Sequence, residues 1–215
     1  MEAKRNLTPA EEKRMAIFNE TEKSLLEQGY QEKELTISIK KANTMGAVVT
    51  IALSIPFIVA FVLCNPSALK SFIDNYSFTS FLFLMLAMLS TLVLIVVHEL
   101  IHGFFWSFGA RRGWKDIEFG YIKEMMTPYC ACLSPLKRPI YLIGSFAPMF
   151  FLGAIPLLIG IFTANLYVFA AGFILWLGGS GDILICFKLL TFKTSSKEVL
   201  FHDHPTECGL IVFEK

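Results

Sequence analysis

Three long stretches without a charged residue constrain this chain more than any other feature of its sequence. No Asp, Glu, Lys or Arg occurs in residues 42–69, 75–98 or 139–181. Each stretch exceeds the roughly 20 apolar residues that a helix needs to cross about 30 Å of hydrocarbon. Only 17% of the chain is charged, against about 25% in soluble domains. The sequence therefore predicts an integral membrane protein.

The third stretch is long enough for two crossings, with the polar tripeptide Thr163-Ala164-Asn165 at the expected turn. Backbone amides in lipid must be paired within helices or closed barrels, and these runs lack the alternation of barrel strands. We therefore predict an all-α fold. The net charge of the chain, +1, gives no indication of a basic face for nucleic acid. Its four transmembrane helices are expected near residues 44–64, 78–105, 139–162 and 166–188.

The distribution of Lys and Arg predicts the orientation. Eight precede the first helix, one lies in the first loop, six lie between helices two and three, none lies in the third loop, and four occur from Lys188 onward. Because basic residues favour the cytosolic side, we expect a multi-pass protein of the cell membrane with both termini in the cytosol.

The chain divides into a cytosolic N-terminal segment (1–43), a transmembrane domain (44–190) and a cytosolic tail (191–215). Thr8-Pro9-Ala10-Glu11 has the form of a capping box and predicts a short cytosolic helix. Residues 34–39 and 117–121 alternate polar with apolar side chains, which is typical of half-buried strands. The second of these predicts a small hairpin-like loop on the cytosolic side.

Two smaller groups of possible metal ligands lie outside the helices. Cys130 and Cys132 form a single CxC pair, which favours ordinary loop thiols over a site for a soft metal. In the tail, His202 and His204 flank an aspartate. The polar composition there favours a solvated segment, or a contact with the site from its cytosolic mouth, over a metal site.

The chemistry is concentrated near the inner end of helix two, where residues 98–102 read His-Glu-Leu-Ile-His. Imidazoles at i and i+4 share one helix face and can bind one zinc ion, while the glutamate reaches a water. An ionised Glu99 inside a bilayer costs at least a few kcal/mol unless it is paired, hydrated or near a metal. The alternative, a hydrogen-bonded His/Glu cluster that joins helices, explains the charge but not the spacing.

Asp182 is the expected third zinc ligand. It is the only acid in the fourth predicted helix, and counting about 1.5 Å per residue from the outer helix ends places it near the depth of His98. Its other possible roles are to hydrogen-bond a His ring or to serve as a coupling-ion site in a transporter. Cys186, one turn further on, would replace it as the ligand if Asp182 is not used.

These residues resemble those of the site-2-protease-like intramembrane metalloproteases. The compact four-helix form, without an added soluble domain, is most similar to bacterial zincin-type membrane proteins of unknown function. The resemblance covers roughly residues 80–190. Site-2 proteases place the third ligand in a Leu-Asp-Gly motif, whereas this chain has Gly181-Asp182-Ile183.

The resemblance implies a zinc metallopeptidase that cleaves a membrane-spanning or membrane-associated peptide close to the cytosolic face. Zn²⁺ would be held by His98, His102 and Asp182, and Glu99 would act as the general base. Two alternatives remain at this stage. One is a non-catalytic membrane protein in which zinc joins helices two and four, and the other is a small proton- or cation-coupled transporter.

Overall fold

The computed structural model describes residues 8–36, 38–122, 127–207 and 209–215. These residues are mostly helical. In chain order, the α-helices are α1 (Pro9–Glu27), α2 (Ile39–Cys64), α3 (Pro66–Asp74), α4 (Phe78–Ser107), α5 (Arg138–Pro148), α6 (Ile155–Phe162), α7 (Leu166–Gly178) and α8 (Ser180–Thr191). A π-helical segment, Met149–Ala154, connects α5 with α6.

Three helical runs are long and apolar enough to cross a membrane: Thr44–Cys64, Phe78–Ser107 and Arg138–Phe162. The pair α7 and α8 makes a fourth if it is one span, although it is bent by 53°. Many apolar side chains of α4 are exposed, as expected for a helix that faces lipid. These helices suggest a membrane protein and lie close to the four predicted positions.

The turn between the last two spans lies where the sequence predicted it. Ala164 has a φ of 55°, in the left-handed region. The Oδ1 atom of Asn165 accepts hydrogen bonds from the backbone N–H groups of Tyr167 and Val168, at 3.0 and 3.1 Å. Asn165 therefore caps α7, since it pairs N–H groups that the first helical turn leaves without partners.

The prediction of an all-α fold is confirmed only in part, because the described residues are mostly helical but also include six strands in two small antiparallel sheets. The strands are β1 (Gln31–Thr36), β2 (Ile117–Ile122), β3 (Thr127–Cys132), β4 (Leu136–Lys137), β5 (Val199–Asp203) and β6 (Gly209–Glu214). One sheet has the order β1-β6-β5-β4, and β2 pairs with β3 in the other. Both predicted strand segments contain strands, although β1 ends at Thr36 and α2 begins at Ile39.

The chain forms two compact units. The helical unit comprises residues 43–102 and 145–187, and the sheet unit comprises residues 1–42, 103–144 and 188–215. In the core of the helical unit, Phe61, Met149 and Leu157 are almost completely buried. A Cβ on Gly172 would lie 2.8 Å from the backbone nitrogen of Leu157, so this glycine allows α6 and α7 to approach closely.

In the sheet unit, α1 packs on the four-stranded sheet through Phe18, Leu25, Ile211 and Phe213. The predicted capping box is present at the start of α1. Thr8 accepts a hydrogen bond from the backbone N–H of Glu11, whose side chain accepts one from the backbone N–H of Thr8.

The prediction of a solvated tail was also wrong. Strands β5 and β6 lie in the middle of the four-stranded sheet, and Leu210, Ile211, Val212 and Phe213 are all at most 3% exposed. Polar residues lie on both sides of this apolar run, so the average composition of the tail is polar. The run itself forms a strand that is buried on both faces.

Candidate metal centre

His98 and His102 lie one turn apart on α4 and share a helix face, as the i and i+4 spacing requires. Their ring centroids are 4.8 Å apart. The two Nε2 atoms are separated by only 3.1 Å. Both imidazoles therefore direct the same ring nitrogen to one location.

Asp182, in the first turn of α8, reaches this location from another helix of the same unit. Its Oδ2 lies 3.0 Å from Nε2 of His98, and its Oδ1 lies 3.3 Å from Nε2 of His102. Each of the three residues offers one possible ligand atom, and these three atoms all lie within 4.8 Å of one another. The three residues selected from the sequence as zinc ligands are thus brought together.

The cluster is partly enclosed. The side chain of His102 is 4% exposed, that of His98 is 12% and that of Asp182 is 24%. Because Asp182 is the third residue of α8, its carboxylate lies in the first turn, where the helix dipole favours negative charge. One side of the cluster is therefore not covered by the protein.

Close packing determines where α8 begins. A Cβ on Gly179 would collide with the side chain of Met149 and would lie 3.5 Å from Oδ2 of Asp182. A Cβ on Gly46 would lie 2.5 Å from the backbone oxygen of Ser180. Sequence reasoning noticed the glycines before Asp182 but missed Gly46, Met149 and the break at Gly179, since these depend on contacts between distant segments.

Glu99, the proposed base, follows His98 on α4 and is half-buried. It is not a member of the three-residue cluster. Adjacent residues on a helix are about 100° apart around its axis. Glu99 therefore follows His98 directly in the chain but lies on a different face of α4.

Cys186, the substitute ligand considered from the sequence, is 9% exposed and lies outside the cluster. Cys130 and Cys132 are in β3 and not in a loop. Burial raises the pKa of the Cys132 thiol to about 11, and its Sγ donates to the backbone oxygen of Ser134. A thiol that stays protonated is a poor metal ligand.

His202 is 4% exposed, and its Nδ1 lies 2.6 Å from the backbone oxygen of Asp203. His204 lies near Glu34 and Glu207 in a second group of possible ligands, both glutamates being exposed. The Nδ1 of His204 accepts hydrogen bonds from two backbone N–H groups. Its proton is therefore on Nε2, the nitrogen that is directed to Glu34, which makes that nitrogen unsuitable as a ligand.

Residues 91–197 match a family model with the description "Putative zincin peptidase". This match supports the zincin family. It covers just under half of the chain and includes His98, Glu99, His102 and Asp182. The zincin family implies a zinc cofactor and suggests a metallopeptidase. No curated protein and no solved structure matches the chain.

Proposed function

We propose that this protein is an intramembrane zinc metallopeptidase that hydrolyses a peptide bond in or beside a membrane-spanning substrate, close to the cytosolic face. The observation that carries the proposal is the convergence of three side chains. The Nε2 atoms of His98 and His102 and the carboxylate of Asp182 are separated by 3.0 to 3.3 Å. The zincin match over the same residues supports it.

The donor set fits zinc. Two imidazole nitrogens and one carboxylate oxygen are a common ligand set for catalytic zinc, which leaves a fourth position for water or substrate. Ligand atoms bound at 2.0–2.1 Å in a tetrahedral site lie about 3.3–3.4 Å from one another. The observed separations are close to this value, so only small side-chain movements would be needed to accept the ion.

Zinc, when bound, would polarise the scissile carbonyl and lower the pKa of a water towards about 7. His98, His102 and Asp182 would hold the ion, and Asp182 would reduce the net positive charge of the site. Glu99 would accept the proton of the attacking water and transfer it to the nitrogen of the leaving amine. Both oxygens of a carboxylate can take part, so one residue can accept the proton and then donate it.

The surroundings support a reaction inside the membrane. The four residues lie in two of the candidate spans, α4 and the pair α7 and α8. An ionised carboxylate in hydrocarbon is costly and usually marks a functional site. Glu99 is the only Asp, Glu, Lys or Arg in α4, and Asp182 shares the pair α7 and α8 only with Lys188 in the last turn of α8. A hydrolytic zinc site gives each of the two carboxylates a separate role.

The test compares Glu99→Gln with His98→Ala, and both zinc content and cleavage are measured on the same preparations. The substrates are a panel of tagged single-span membrane proteins, and the loss of intact chains is followed. Glu99→Gln should retain most of the zinc and lose about 10²- to 10⁴-fold in cleavage rate. His98→Ala should lose zinc and cleavage together, whereas Glu20→Gln, an exposed control on α1, should leave both unchanged.

The same experiment separates the two alternatives. A protein in which zinc only joins α4 to α8 would bind zinc but cleave none of the panel, and Glu99→Gln would change neither its metal nor its stability. A transporter that couples through Glu99 and Asp182 would purify without zinc. Cleavage that survives in Glu99→Gln would show that the proposed mechanism is wrong.

A further inference from the structure

One cavity is lined entirely by residues of the sheet unit, and no residue of the metal centre lines it. Its volume is about 890 Å³, and it is lined by residues 137–139, 190, 192–194 and 196–200, together with Tyr30. Pockets of roughly 300–1,000 Å³ hold molecules of drug size. The cavity therefore has room for a substantial ligand.

The charge of the cavity is strongly positive. Lys137, Arg138, Lys193 and Lys197 line it, and Glu198 is the single acid among the described residues that do so. In the described part of the chain, Lys137, Lys193 and Lys197 make no ion pair. Three cationic groups are thus available to an anionic ligand.

The other two charged side chains of the lining, Arg138 and Glu198, have hydrogen-bond partners within the sheet unit. The Nη2 atom of Arg138 donates to the backbone oxygen of Phe192 at 3.1 Å, and the guanidinium lies over the rings of Phe192 and Phe201. Tyr30 donates its hydroxyl to Glu198 at 2.6 Å, and this hydrogen bond raises the pKa of Tyr30. The lining therefore has four cationic side chains against one carboxylate.

The cavity lies where two candidate spans end. Arg138 is the first residue of the span that ends at Phe162, and Thr191 is the last residue of the bent pair that follows. A three-residue turn joins these spans, so their far ends lie on the same side. The hydrogen bond from Arg138 to Phe192 agrees with this arrangement.

The cavity also has an apolar part next to the last span. Leu190 belongs to the last turn of α8 and is 67% exposed, and Pro139 and Leu200 are also in the lining. Cations that follow directly after an apolar helix end are placed at the level of lipid headgroups. Acyl chains from the same lipid would then lie against the helix end.

We propose that this cavity binds the headgroup of an anionic phospholipid from the leaflet at this end of the spans. Lys193, Lys197 and Lys137 contact the phosphate, Arg138 forms the fixed wall beside it, and the first part of the chains lies against Leu190. The site does not depend on zinc or on peptidase activity.

The test uses the full-length protein, purified in a neutral detergent, and measures bound lipid by native mass spectrometry during titration with phosphatidylglycerol. Phosphatidylcholine is the neutral comparison, and glycerol phosphate supplies the phosphate without chains. Phosphatidylglycerol should bind at least about tenfold more tightly than phosphatidylcholine, and added salt should weaken its binding.

The decisive variant is the double substitution Lys193→Gln and Lys197→Gln. Phosphatidylglycerol binding should weaken about 25-fold, because each lysine beside an anionic headgroup contributes roughly fivefold. The matched control, Lys23→Gln with Lys70→Gln, removes two exposed lysines outside the cavity and should bind like the unmodified protein.

Three results would overturn the proposal. The first is equal binding of phosphatidylglycerol and phosphatidylcholine. The second is unchanged binding in the double variant at residues 193 and 197. The third is glycerol phosphate binding as tightly as phosphatidylglycerol, which would identify a soluble phosphate compound and not a lipid as the ligand.

Discussion

Met149 packs directly on Gly179, the one residue between α7 and α8, where this bent pair changes direction by 53°. Met149 is completely buried and begins the π-helical segment. The contact leaves no room for a side chain on Gly179. It therefore links the course of the third candidate span to the position of Asp182, three residues after the glycine.

The first prediction concerns this contact. Gly179→Ala should displace α8 and therefore weaken zinc binding. It should also reduce the free energy of unfolding by about 1–3 kcal/mol, as is usual for overpacking. Adding Met149→Ala should restore part of the zinc affinity, because it removes the colliding atoms. Gly178→Ala is the matched control, since a Cβ there would meet nothing within 4 Å. Equal losses from both glycine variants would show that the contact with Met149 does not position Asp182.

The second prediction separates Asp182 from Cys186. A partner that only hydrogen-bonds a ligating histidine typically contributes 10- to 100-fold to metal affinity. If Asp182 binds zinc directly, Asp182→Asn should cost more than about 100-fold. Cys186→Ala should keep stoichiometric zinc, because Cys186 lies outside the cluster. Zinc titrations of both variants measure this, and the reverse ranking would assign the third ligand to Cys186.

The third prediction concerns metal removal and does not need a substrate. A ligand that binds only the folded state at 100 times its Kd stabilises it by about 2.7 kcal/mol. A zinc chelator should therefore lower the Tm of the purified protein, and added zinc should restore it. His98→Ala should have a Tm that neither treatment changes. A chelator effect of the same size in this variant would mean that the stabilising metal is bound elsewhere.

Much of the helical unit could be predicted from the sequence, because one local property determines each part. The length of an uncharged run determines a span, and the i and i+4 spacing places His98 beside His102. Counting residues from the outer helix ends also placed Asp182 near their depth. Each of these inferences uses the geometry of a single helix.

What could not be predicted depends on pairing between distant segments. Strand β6 pairs with β1, and Leu210 lies opposite Leu35 in the sheet. These two residues are separated by most of the length of the chain. Nothing within 209–214 indicates that partner. The bend at Gly179 likewise depends on Met149, which belongs to another helical run. This contact exists only when both residues are in place in the folded core.

The fourth prediction concerns pH and the sheet unit. Burial raises the pKa of Glu32 to about 7, with further contributions from a hydrogen bond and repulsion involving Glu22. A carboxyl group whose pKa is higher in the folded state favours folding below its unfolded value, and this contribution is lost as the pH rises through about 7. Glu32→Gln should therefore raise the Tm at pH 8.5 and leave it almost unchanged at pH 4. Because Glu32 is largely exposed, we expect a gain well below the ideal value. A larger effect at pH 4 than at pH 8.5 would contradict the direction of the shift.

The last prediction concerns membrane orientation. The first loop contains one Lys, whereas eight Lys and Arg precede α2 and six lie between the second and third spans, so that loop should be external. Single cysteines are introduced as Glu20→Cys, Lys70→Cys, Lys115→Cys and Lys215→Cys, all at exposed positions. In the background, alanine replaces all five native cysteines, at positions 64, 130, 132, 186 and 208. Cys64 in particular is exposed at the end of α2 and would react on the same side as position 70. An impermeant thiol reagent should label only Lys70→Cys in intact cells, and all four sites after the membrane is permeabilised. Labelling of the other three variants in intact cells, with position 70 protected, would reverse the orientation and place the metal centre near the external face.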